Sequence, residues 1–358
     1  MSYPYAKLKN ISIIKTGKLD SNAAVANGKY PFFTCDPNTL SIDEWAYDTE
    51  AVLLAGNNAS GNYTAKYYSG RFNAYQRTYI IETSDKDILD VRFLASALNQ
   101  QLQLLKTISS GSTTKFLTIR MLHDLDIPLP DIRAQRRIAD TLSAYDDLIE
   151  NNRKQIELLE ETAQRLYQEW FVDLRFPGHE HTKIVDGVPE GWEKRLLGDI
   201  VEVKYGKDHK SFPDGLIPVY GSGGFMRKCN QALYDGESVL IPRKGSLNNI
   251  IYVDEAFWTV DTMFYTKMKL SNIGIYVFFF VKSFDMYSMN IGAAVPSMTT
   301  NILNALDIII PNNDVLRRFQ SISKIFFNKI ALLHKQIETA TQARDRLLPK
   351  LMSGEVEV

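Results

Sequence analysis

Residues 136–170 read RRIADTLSAYDDLIENNRKQIELLEETAQRLYQEW, and residues 317–351 read RRFQSISKIFFNKIALLHKQIETATQARDRLLPKL. The two stretches share Arg-Arg, Lys-Gln-Ile-Glu and Arg-Leu at one constant offset of 181 residues, from 136 to 317, without a gap. The same offset carries Thr118 onto Thr299. Chance does not produce gap-free agreement over this length. The chain therefore contains an internal repeat, and the architecture must consist of two related halves.

Apolar residues in the two stretches recur every three and four positions, which predicts helices with the seam of a coiled coil. The first seam consists of Ile138, Leu142, Tyr145, Ile149, Asn152, Ile156, Leu159, Ala163, Leu166 and Trp170. The equivalent positions are Phe319, Ser323, Phe326, Ile330, Leu333, Ile337, Ala340, Arg344, Leu347 and Leu351. A helix over 136–170 is about 50 Å long at the helical rise, longer than a small domain can hide. Its partner must be the other long helix, and a pseudo-two-fold repeat favours an antiparallel pair.

Asn152 is the polar exception on the first seam. A polar seam residue can fix the register of a coiled coil at some cost in stability. The alternative is that Asn152 lies beside an imperfect contact, and the sequence leaves both interpretations open.

The earlier parts of the two halves match only loosely. Lys15, Gly17 and Lys18 match Lys204, Gly206 and Lys207 with a larger offset. Between these matches, short runs rich in Val, Ile, Tyr and Phe alternate with Gly, Asn, Asp and Pro, which indicates strands and turns, and residues 91–105 have a helical pattern. The predicted fold class is α+β, with two pseudo-symmetric mixed α/β domains separated by two long antiparallel coiled-coil helices. The predicted boundaries are 1–133, 134–176, 177–313 and 314–358.

Composition excludes several classes of protein. Only two cysteines occur, Cys35 and Cys229, too few for a disulfide framework or a structural zinc site. The pair His179 and His181 has no further His or Cys nearby in sequence, so we expect no metal site. No apolar run is long enough to span a bilayer, and the chain start lacks the apolar core of a signal peptide, so we expect a cytoplasmic protein.

Motifs that carry chemistry are absent from the sequence. No phosphate-binding loop of the GxxxxGK[ST] type, no Asn-Pro-Pro or Asp-Pro-Pro tetrapeptide of an amino-methyltransferase and no GxSxG elbow occurs. A chain with its own catalytic chemistry is therefore not expected.

The charge is balanced overall but unevenly distributed. The net charge of −1 argues against binding nucleic acid through bulk positive charge. Residues 51–81, 91–123 and 238–253, however, contain Lys or Arg, are rich in residues such as Asn, Ser, Thr or Tyr, and contain no acid. Such segments can meet phosphates and base edges, although ordinary solvated loops have the same composition.

The long motifs resemble the specificity subunits of type I restriction-modification systems over essentially the whole chain. Residues 136–178, including Trp170-Phe171-Val172-Asp173 and Arg175-Phe176-Pro177-Gly178, resemble the central shared helix of that family and its exit. Val188-Pro-Glu-Gly-Trp192 resembles the opening of the second recognition domain, and LLPKLMSGEVEV resembles the C-terminal shared region. The first half departs from the pattern because it begins with Tyr3-Pro4-Tyr5.

The resemblance implies two target recognition domains that each read one half of a bipartite site in double-stranded DNA. It also implies that the paired helices space these domains and dock two modification subunits, which bind S-adenosylmethionine and methylate adenine. Restriction subunits, with a motor and a nuclease that use ATP and Mg, complete the enzyme. No cofactor is expected in this chain, and no membrane partner.

Direct readout uses Arg or Lys for guanine and Asn or Gln for adenine. In the first domain the candidates are Asn57, Asn58, Asn62, Lys66, Arg71, Gln76 and Arg77. In the second they are Arg227, Lys228, Arg243, Lys244, Asn248 and Asn249. For each residue the alternative is a solvent-exposed or loop-shaping role.

Three other functions stay open at this point. The chain could serve a related bipartite system in which one partner chain both methylates and cleaves. It could be a coiled-coil adaptor that binds only proteins, which predicts no salt-sensitive affinity for DNA. A self-sufficient nuclease is the weakest alternative, because no metal-binding carboxylate motif is present.

Overall fold

The structure is a computed structural model that describes residues 3–58, 61–109, 115–289 and 297–357. The chain divides into two compact units. The first unit comprises Met1–Arg153 and His334–Val358, and the second comprises Lys154–Leu333. Because the division crosses both long helices, each unit contains one sheet domain and a segment of each long helix.

The first half of the chain contains ten strands and five α-helices among its described residues. The strands are β1 (Tyr5–Lys7), β2 (Ser12–Thr16), β3 (Tyr30–Phe33), β4 (Leu40–Ile42), β5 (Tyr47–Ala55), β6 (Asn57–Asn58), β7 (Ala65–Ala74), β8 (Thr78–Thr83), β9 (Lys115–Phe116) and β10 (Asp126–Pro128). The helices are α1 (Leu8–Ile11), α2 (Val91–Gln100), α3 (Leu102–Ile108), α4 (Ile119–His123) and α5 (Ile132–Tyr167), and a π-helical turn, Gln168–Val172, follows α5.

The second half also contains ten strands, together with four α-helices, among its described residues. The strands are β11 (Ile184–Val185), β12 (Val188–Pro189), β13 (Glu193–Leu196), β14 (Val201–Tyr205), β15 (Ile217–Gly221), β16 (Gly224–Cys229), β17 (Tyr234–Pro242), β18 (Ile251–Thr259), β19 (Met263–Met268) and β20 (Asp307–Ile310). The helices are α6 (Leu197–Ile200), α7 (Gly274–Lys282), α8 (Thr300–Asn304) and α9 (Asn313–Ser353).

Each unit is built on a six-stranded sheet with the same topology. The strand order is β2-β8-β5-β7-β3-β4 in the first unit and β14-β19-β17-β18-β15-β16 in the second. All neighbours pair antiparallel except β3 with β7 and β15 with β18, which are parallel. The loosely matched parts of the sequence therefore fold alike, although their side chains differ.

A tyrosine that donates to a glutamate occupies equivalent places in the two sheets. Tyr67 Oη donates a hydrogen bond to Glu50 Oε1 at 2.9 Å, and Tyr252 Oη donates to Glu237 Oε1 at 2.6 Å. Burial, together with the neighbouring glutamate, raises the pKa of Tyr67 to about 12 and also raises the pKa of Tyr252. Both tyrosines therefore remain neutral donors at physiological pH.

The constant offset of 181 residues is visible at helix starts. Thr118 Oγ1 accepts a hydrogen bond from the backbone N of Met121 at 3.3 Å, and Thr299 Oγ1 accepts one from Ile302 N at 3.4 Å. A side-chain oxygen at this position satisfies an otherwise unpaired N–H of the first turn. The same local chemistry thus begins α4 and α8.

The helix segments of the first unit run antiparallel. Arg344 Nη1 pairs with Asp146 Oδ1 at 2.6 Å, and Asn152 Nδ2 donates to Gln336 Oε1 at 3.3 Å. The residue number rises along α5 while its partner's number falls along α9. Ile138 and Leu142 of α5, with Leu351 of α9, join the main apolar core of this unit.

The helix segments of the second unit pack around aromatic rings. The ring of Trp170 lies 6.0 Å from that of Phe319, and Tyr167 stacks on Phe279 of α7 at 5.4 Å. The core of the unit also includes the apolar faces of β14 and β17. In both units, every predicted seam position is buried or partly buried. Ser323 and Asn152 are the buried polar side chains among them.

Cys35 and Cys229 are both free thiols. Within the described ranges, no helix combines the length and the apolar composition needed to cross a membrane.

Candidate nucleic-acid interface

Backbone hydrogen bonds gather several loops of the first unit at the ends of β2, β3, β5 and β7. We call this group, residues 17–20, 33–36, 56–58 and 74–78, the first loop cluster. Its bonds run from Gly17 N to Thr78 O (3.1 Å), Lys18 N to Ala74 O (3.2 Å), Tyr75 N to Phe33 O (2.9 Å), Gly56 N to Arg77 O (2.8 Å) and Leu117 N to Gly56 O (2.8 Å). The cluster is therefore a fixed framework that can present side chains in a defined arrangement.

The second unit contains the equivalent group, residues 206–210, 220–223, 243–249 and 259–263, which we call the second loop cluster. Its bonds run from Gly206 N to Met263 O (2.9 Å), Lys207 N to Thr259 O (2.8 Å), Val260 N to Tyr220 O (3.0 Å), Arg243 N to Thr262 O (2.8 Å) and Met298 N to Arg243 O (2.9 Å). Each bond has its counterpart in the first loop cluster. The two clusters thus share a backbone arrangement but differ in most of their sequence.

Both clusters require a glycine at one shared point. A Cβ atom on Gly17 would lie 2.2 Å from the carbonyl oxygen of Ala74, and one on Gly206 would lie 2.0 Å from that of Val260. A real side chain cannot approach backbone this closely without shifting it. The repeated glycine therefore has a steric cause in each unit.

Four of the seven predicted residues of the first domain lie in the first loop cluster. Gln76 Nε2 donates to Asp20 Oδ1 at 2.6 Å, and Asn58 Oδ1 accepts from the backbone N of Asn62 at 3.1 Å. Asn57 Oδ1 is buried and has no hydrogen-bond partner within the described part of the chain. The side chain of Arg77 is exposed and has no hydrogen-bond or ion-pair partner among the described residues.

The other three residues of the first domain are engaged within the protein. Asn62 accepts from Lys106 Nζ at 2.8 Å. Lys66 donates to Thr39 Oγ1 at 3.2 Å, and burial lowers the pKa of its ammonium. Arg71 pairs with Asp48 at 3.1 Å, and its guanidinium lies 4.9 Å from the ring centre of Trp45. These contacts favour a structural role for the three side chains.

In the second unit, Arg243, Lys244, Asn248 and Asn249 lie in one segment of the second loop cluster. The Arg243 guanidinium lies 5.4 Å from the ring centre of Tyr205. Asn248 donates to Asp285 at 3.2 Å, and Asn249 donates to the carbonyl of Ser222 at 2.9 Å. Lys244 is exposed, and its side chain has no partner in the ranges that the structure covers.

Arg227 and Lys228 lie outside this segment, on β16. Arg227 donates to the carbonyl oxygens of His209 (2.7 Å) and Phe212 (2.8 Å) and pairs with Asp214 (2.9 Å). It therefore holds the loop between β14 and β15 in place. Lys228 is half-buried and has an interaction within the protein.

A cleft of about 730 Å³ opens at the second loop cluster, between residues 208–210, 221–226 and 260–262. His209 and Lys210 line it together with the exposed side chains of Phe225 and Met226. Asp208 and Asp261 also line the cleft. Basic side chains and exposed apolar side chains at one place suit the edge of a nucleic-acid groove, where methyl groups and hydrogen-bonding atoms alternate. This cleft was not predicted from the sequence, since its walls come from three segments that are far apart along the chain.

A metal site has no support in the geometry of the described residues. His179 Nδ1 lies 2.9 Å from the carbonyl oxygen of Phe176. In the parts of the chain that are described, no three His, Cys, Asp or Glu side chains are grouped so that they could hold a metal ion.

Comparison with known proteins gives the family. The model of the type I restriction modification DNA specificity domain matches twice, over residues 4–161 and 189–342. The specificity subunit of the type I restriction enzyme MjaIX from Methanocaldococcus jannaschii is 32% identical over 287 residues, which cover 72% of this chain and 66% of that protein. The EcoDI specificity subunit from Escherichia coli is 37% identical over 155 residues, 43% of this chain and 34% of that protein. The chain thus spans less than two thirds of the length of these two relatives.

Other relatives match over most of their length. A protein from Mycoplasma genitalium named as a putative type I specificity subunit is 27% identical over 368 residues, which cover 96% of this chain and 92% of that protein. The crystal structure of an S subunit from M. genitalium superposes with a TM-score of 0.71 at 18% identity and covers 98% of this chain and 96% of its own. This likeness confirms the predicted fold class. Because one domain model matches twice and the two matches together cover most of the chain, the chain belongs to the family of type I restriction-modification DNA specificity subunits.

Proposed function

We propose that this chain is the non-catalytic specificity subunit of a type I restriction-modification enzyme and that each unit reads one half of a bipartite DNA target. The observation that carries the proposal is the pair of loop clusters, which share their backbone hydrogen bonds and differ in most of their side chains. A shared framework with different side chains suits two readers of two different short sequences.

The chemistry of the free side chains supports base readout. Arg77 and Lys244 are the predicted residues that combine exposure with a side chain that has no hydrogen-bond or ion-pair partner among the described residues. A guanidinium or an ammonium can donate to the O6 and N7 atoms of guanine in the major groove. We assign readout first to these two, whereas Arg227 and Asn248 serve the protein's own loops.

An apolar stripe on α9 supports docking of the modification subunits. Ile322, Ile325 and Leu332 are exposed and lie on one face of the helix, which we call the docking stripe. On the opposite flank, Lys324 pairs with Asp254 at 2.8 Å and Phe327 packs against Tyr252 at 4.8 Å between ring centres. The sheet of the second unit thus covers one flank and leaves the stripe open. Apolar residues at heptad spacing suit a partner helix.

The proposal assigns the chemistry to the partners. S-adenosylmethionine belongs to the modification subunits, and ATP and Mg belong to the restriction subunits. This chain contributes the choice of sequence and the spacing between the half-sites.

Reconstitution with the modification subunits tests the proposal. We expect the purified chain alone to leave DNA unmethylated, and the complex to methylate adenines in one split sequence. Exchanging residues 1–133 for the corresponding domain of another family member should change one half of that sequence only. Methylation by the chain alone, or a change in both halves after the exchange, would contradict the proposal.

A further inference from the structure

Lys18 and Lys207 occupy equivalent positions directly after the sterically required glycines. Their backbone N atoms donate to equivalent carbonyl oxygens, those of Ala74 and Thr259. Both side chains are exposed, and neither has a hydrogen-bond or ion-pair partner among the residues described. Each unit therefore presents one ammonium group from the same point of its loop cluster.

The nearest acids in sequence are already engaged. Asp20 accepts a hydrogen bond from Gln76 at 2.6 Å. Asp208 accepts from the backbone N atoms of His209 (2.8 Å) and Lys210 (3.2 Å), and these bonds lower the pKa of its carboxyl group. Both acids thus order their loops, and neither forms an ion pair with the lysine of its own loop.

A second matched pair of lysines behaves differently. Lys15 pairs with Glu82 at 2.7 Å, and Lys204 pairs with Glu202 at 2.5 Å. Repetition alone therefore does not indicate a ligand site, since these two lysines are held on the sheet. The difference singles out Lys18 and Lys207.

We propose that Lys18 and Lys207 each bind a backbone phosphate at equivalent places in the two half-sites. Two half-sites of different sequence share only their sugar-phosphate backbone. At the readout positions the clusters differ, because Gly56-Asn57 corresponds to Arg243-Lys244 and Gln76-Arg77 corresponds to Asp261-Thr262. A residue that is the same in both clusters fits the part of DNA that is the same in both half-sites.

The glycines explain how a flexible lysine can set a register. Gly17 and Gly206 bring the chain against the backbone of the neighbouring turn, so that the Cα of the following lysine is fixed by hydrogen bonds on a rigid loop. Contacts to phosphates position a protein on the duplex, while contacts to bases carry the sequence information. Lys18 and Lys207 would thus orient the loop clusters for readout by other residues.

The inference rests on the proposed function, and its test uses the full complex with the modification subunits. Affinity for a duplex with the methylated sequence and for one without it is measured over a range of salt concentrations for the wild type, Lys18→Ala, Lys207→Ala and the double variant. Losing one phosphate contact should reduce the slope of log K against log salt by about 0.9 and weaken binding about eightfold at ~0.1 M salt. Both duplexes should be affected alike, and the methylated sequence should not change.

Lys9→Ala and Lys194→Ala are the matched controls, because each lysine is exposed and precedes the first strand of its sheet rather than following it. Neither control variant should change the slope of log K against log salt. Lys18→Arg and Lys207→Arg should retain most of the wild-type slope, because arginine keeps the positive charge. An unchanged slope for Lys18→Ala and Lys207→Ala would overturn the inference, as would relaxed specificity at one base pair. A wild-type complex that binds neither duplex would instead refute the proposed function.

Discussion

The docking stripe gives the sharpest quantitative prediction. Ile325 is 67% exposed and Leu332 is 48% exposed, although both lie in the middle of a long helix. Complete burial of such a side chain contributes about 1.5–3 kcal/mol. Covering the exposed parts of both should therefore contribute roughly 2–3 kcal/mol to binding of a modification subunit, equivalent to about 30- to 150-fold in Kd.

The perturbation is the double variant Ile325→Ser, Leu332→Ser. Because about half or more of each side chain is exposed in the free chain, the substitutions should cost the folded protein little. Isoleucine and serine have similar helix propensities, and serine in place of leucine costs about 0.5 kcal/mol. We expect a small decrease in Tm and a large decrease in affinity. Isothermal titration calorimetry of the purified chain with the modification subunit measures the second quantity, and thermal unfolding measures the first.

Ile184→Ser is the matched control. Ile184 lies in the same unit and is 56% exposed, but it belongs to the short hairpin of β11 and β12. Its replacement should leave the affinity for the modification subunit unchanged. Equal affinity of the double variant and the wild type would refute the assignment of the stripe, and an equal loss in the control would show a non-specific effect.

Three further predictions concern the coil and the readout residues. Inserting one heptad after Glu157 and one after Glu338 should lengthen the coiled coil by about 10 Å. The enzyme should then either accept roughly three more unread base pairs between the half-sites or fail to bind. Sequencing of methylated sites measures this spacing, and an unchanged spacing would show that the coiled coil does not set the distance between the half-sites. Arg77→Ala and Lys244→Ala should each weaken binding to the cognate site by roughly 1–3 kcal/mol and relax the specificity at one base pair. Methylation of single-base variants of the site measures this specificity. Equal weakening on all sequences would mean that the side chain contacts a phosphate instead. Asn152→Leu, at a seam position only 2% exposed, should raise the free energy of unfolding by roughly 1 kcal/mol in denaturant titrations, and a decrease would mean that its hydrogen bond stabilises the coil.

The helices and the repeat could be predicted because their causes are local in sequence. A heptad seam needs only residues three and four positions apart, so the pattern around Ile138 and Ile330 predicts a paired helix before any contact is known. The offset of 181 residues likewise relates Thr118 to Thr299. In the structure, both threonines accept a hydrogen bond from the first turn of the helix that follows, α4 or α8.

The tertiary structure decided which polar side chains are hydrogen-bonded within the protein and which remain exposed. Arg227 and Arg77 look alike in sequence, as basic residues beside polar neighbours. Folding surrounds Arg227 with carbonyl oxygens from a loop more than a dozen residues upstream, whereas Arg77 remains exposed. Whether a donor is satisfied depends on atoms brought together from distant parts of the chain, which composition cannot show.

The sequence by itself determined the architecture, since helix periodicity and repetition are written along the chain and need no knowledge of long-range contacts. Only the tertiary structure decided which surfaces stay open. The stripe at Ile325 is uncovered because the sheet packs against the other flank of α9, at Lys324 and Phe327. Lys18 and Lys207 become equivalent because hydrogen bonds between separate strands and turns place them there. Exposure is a property of packing, and packing is settled by residues far apart in the sequence.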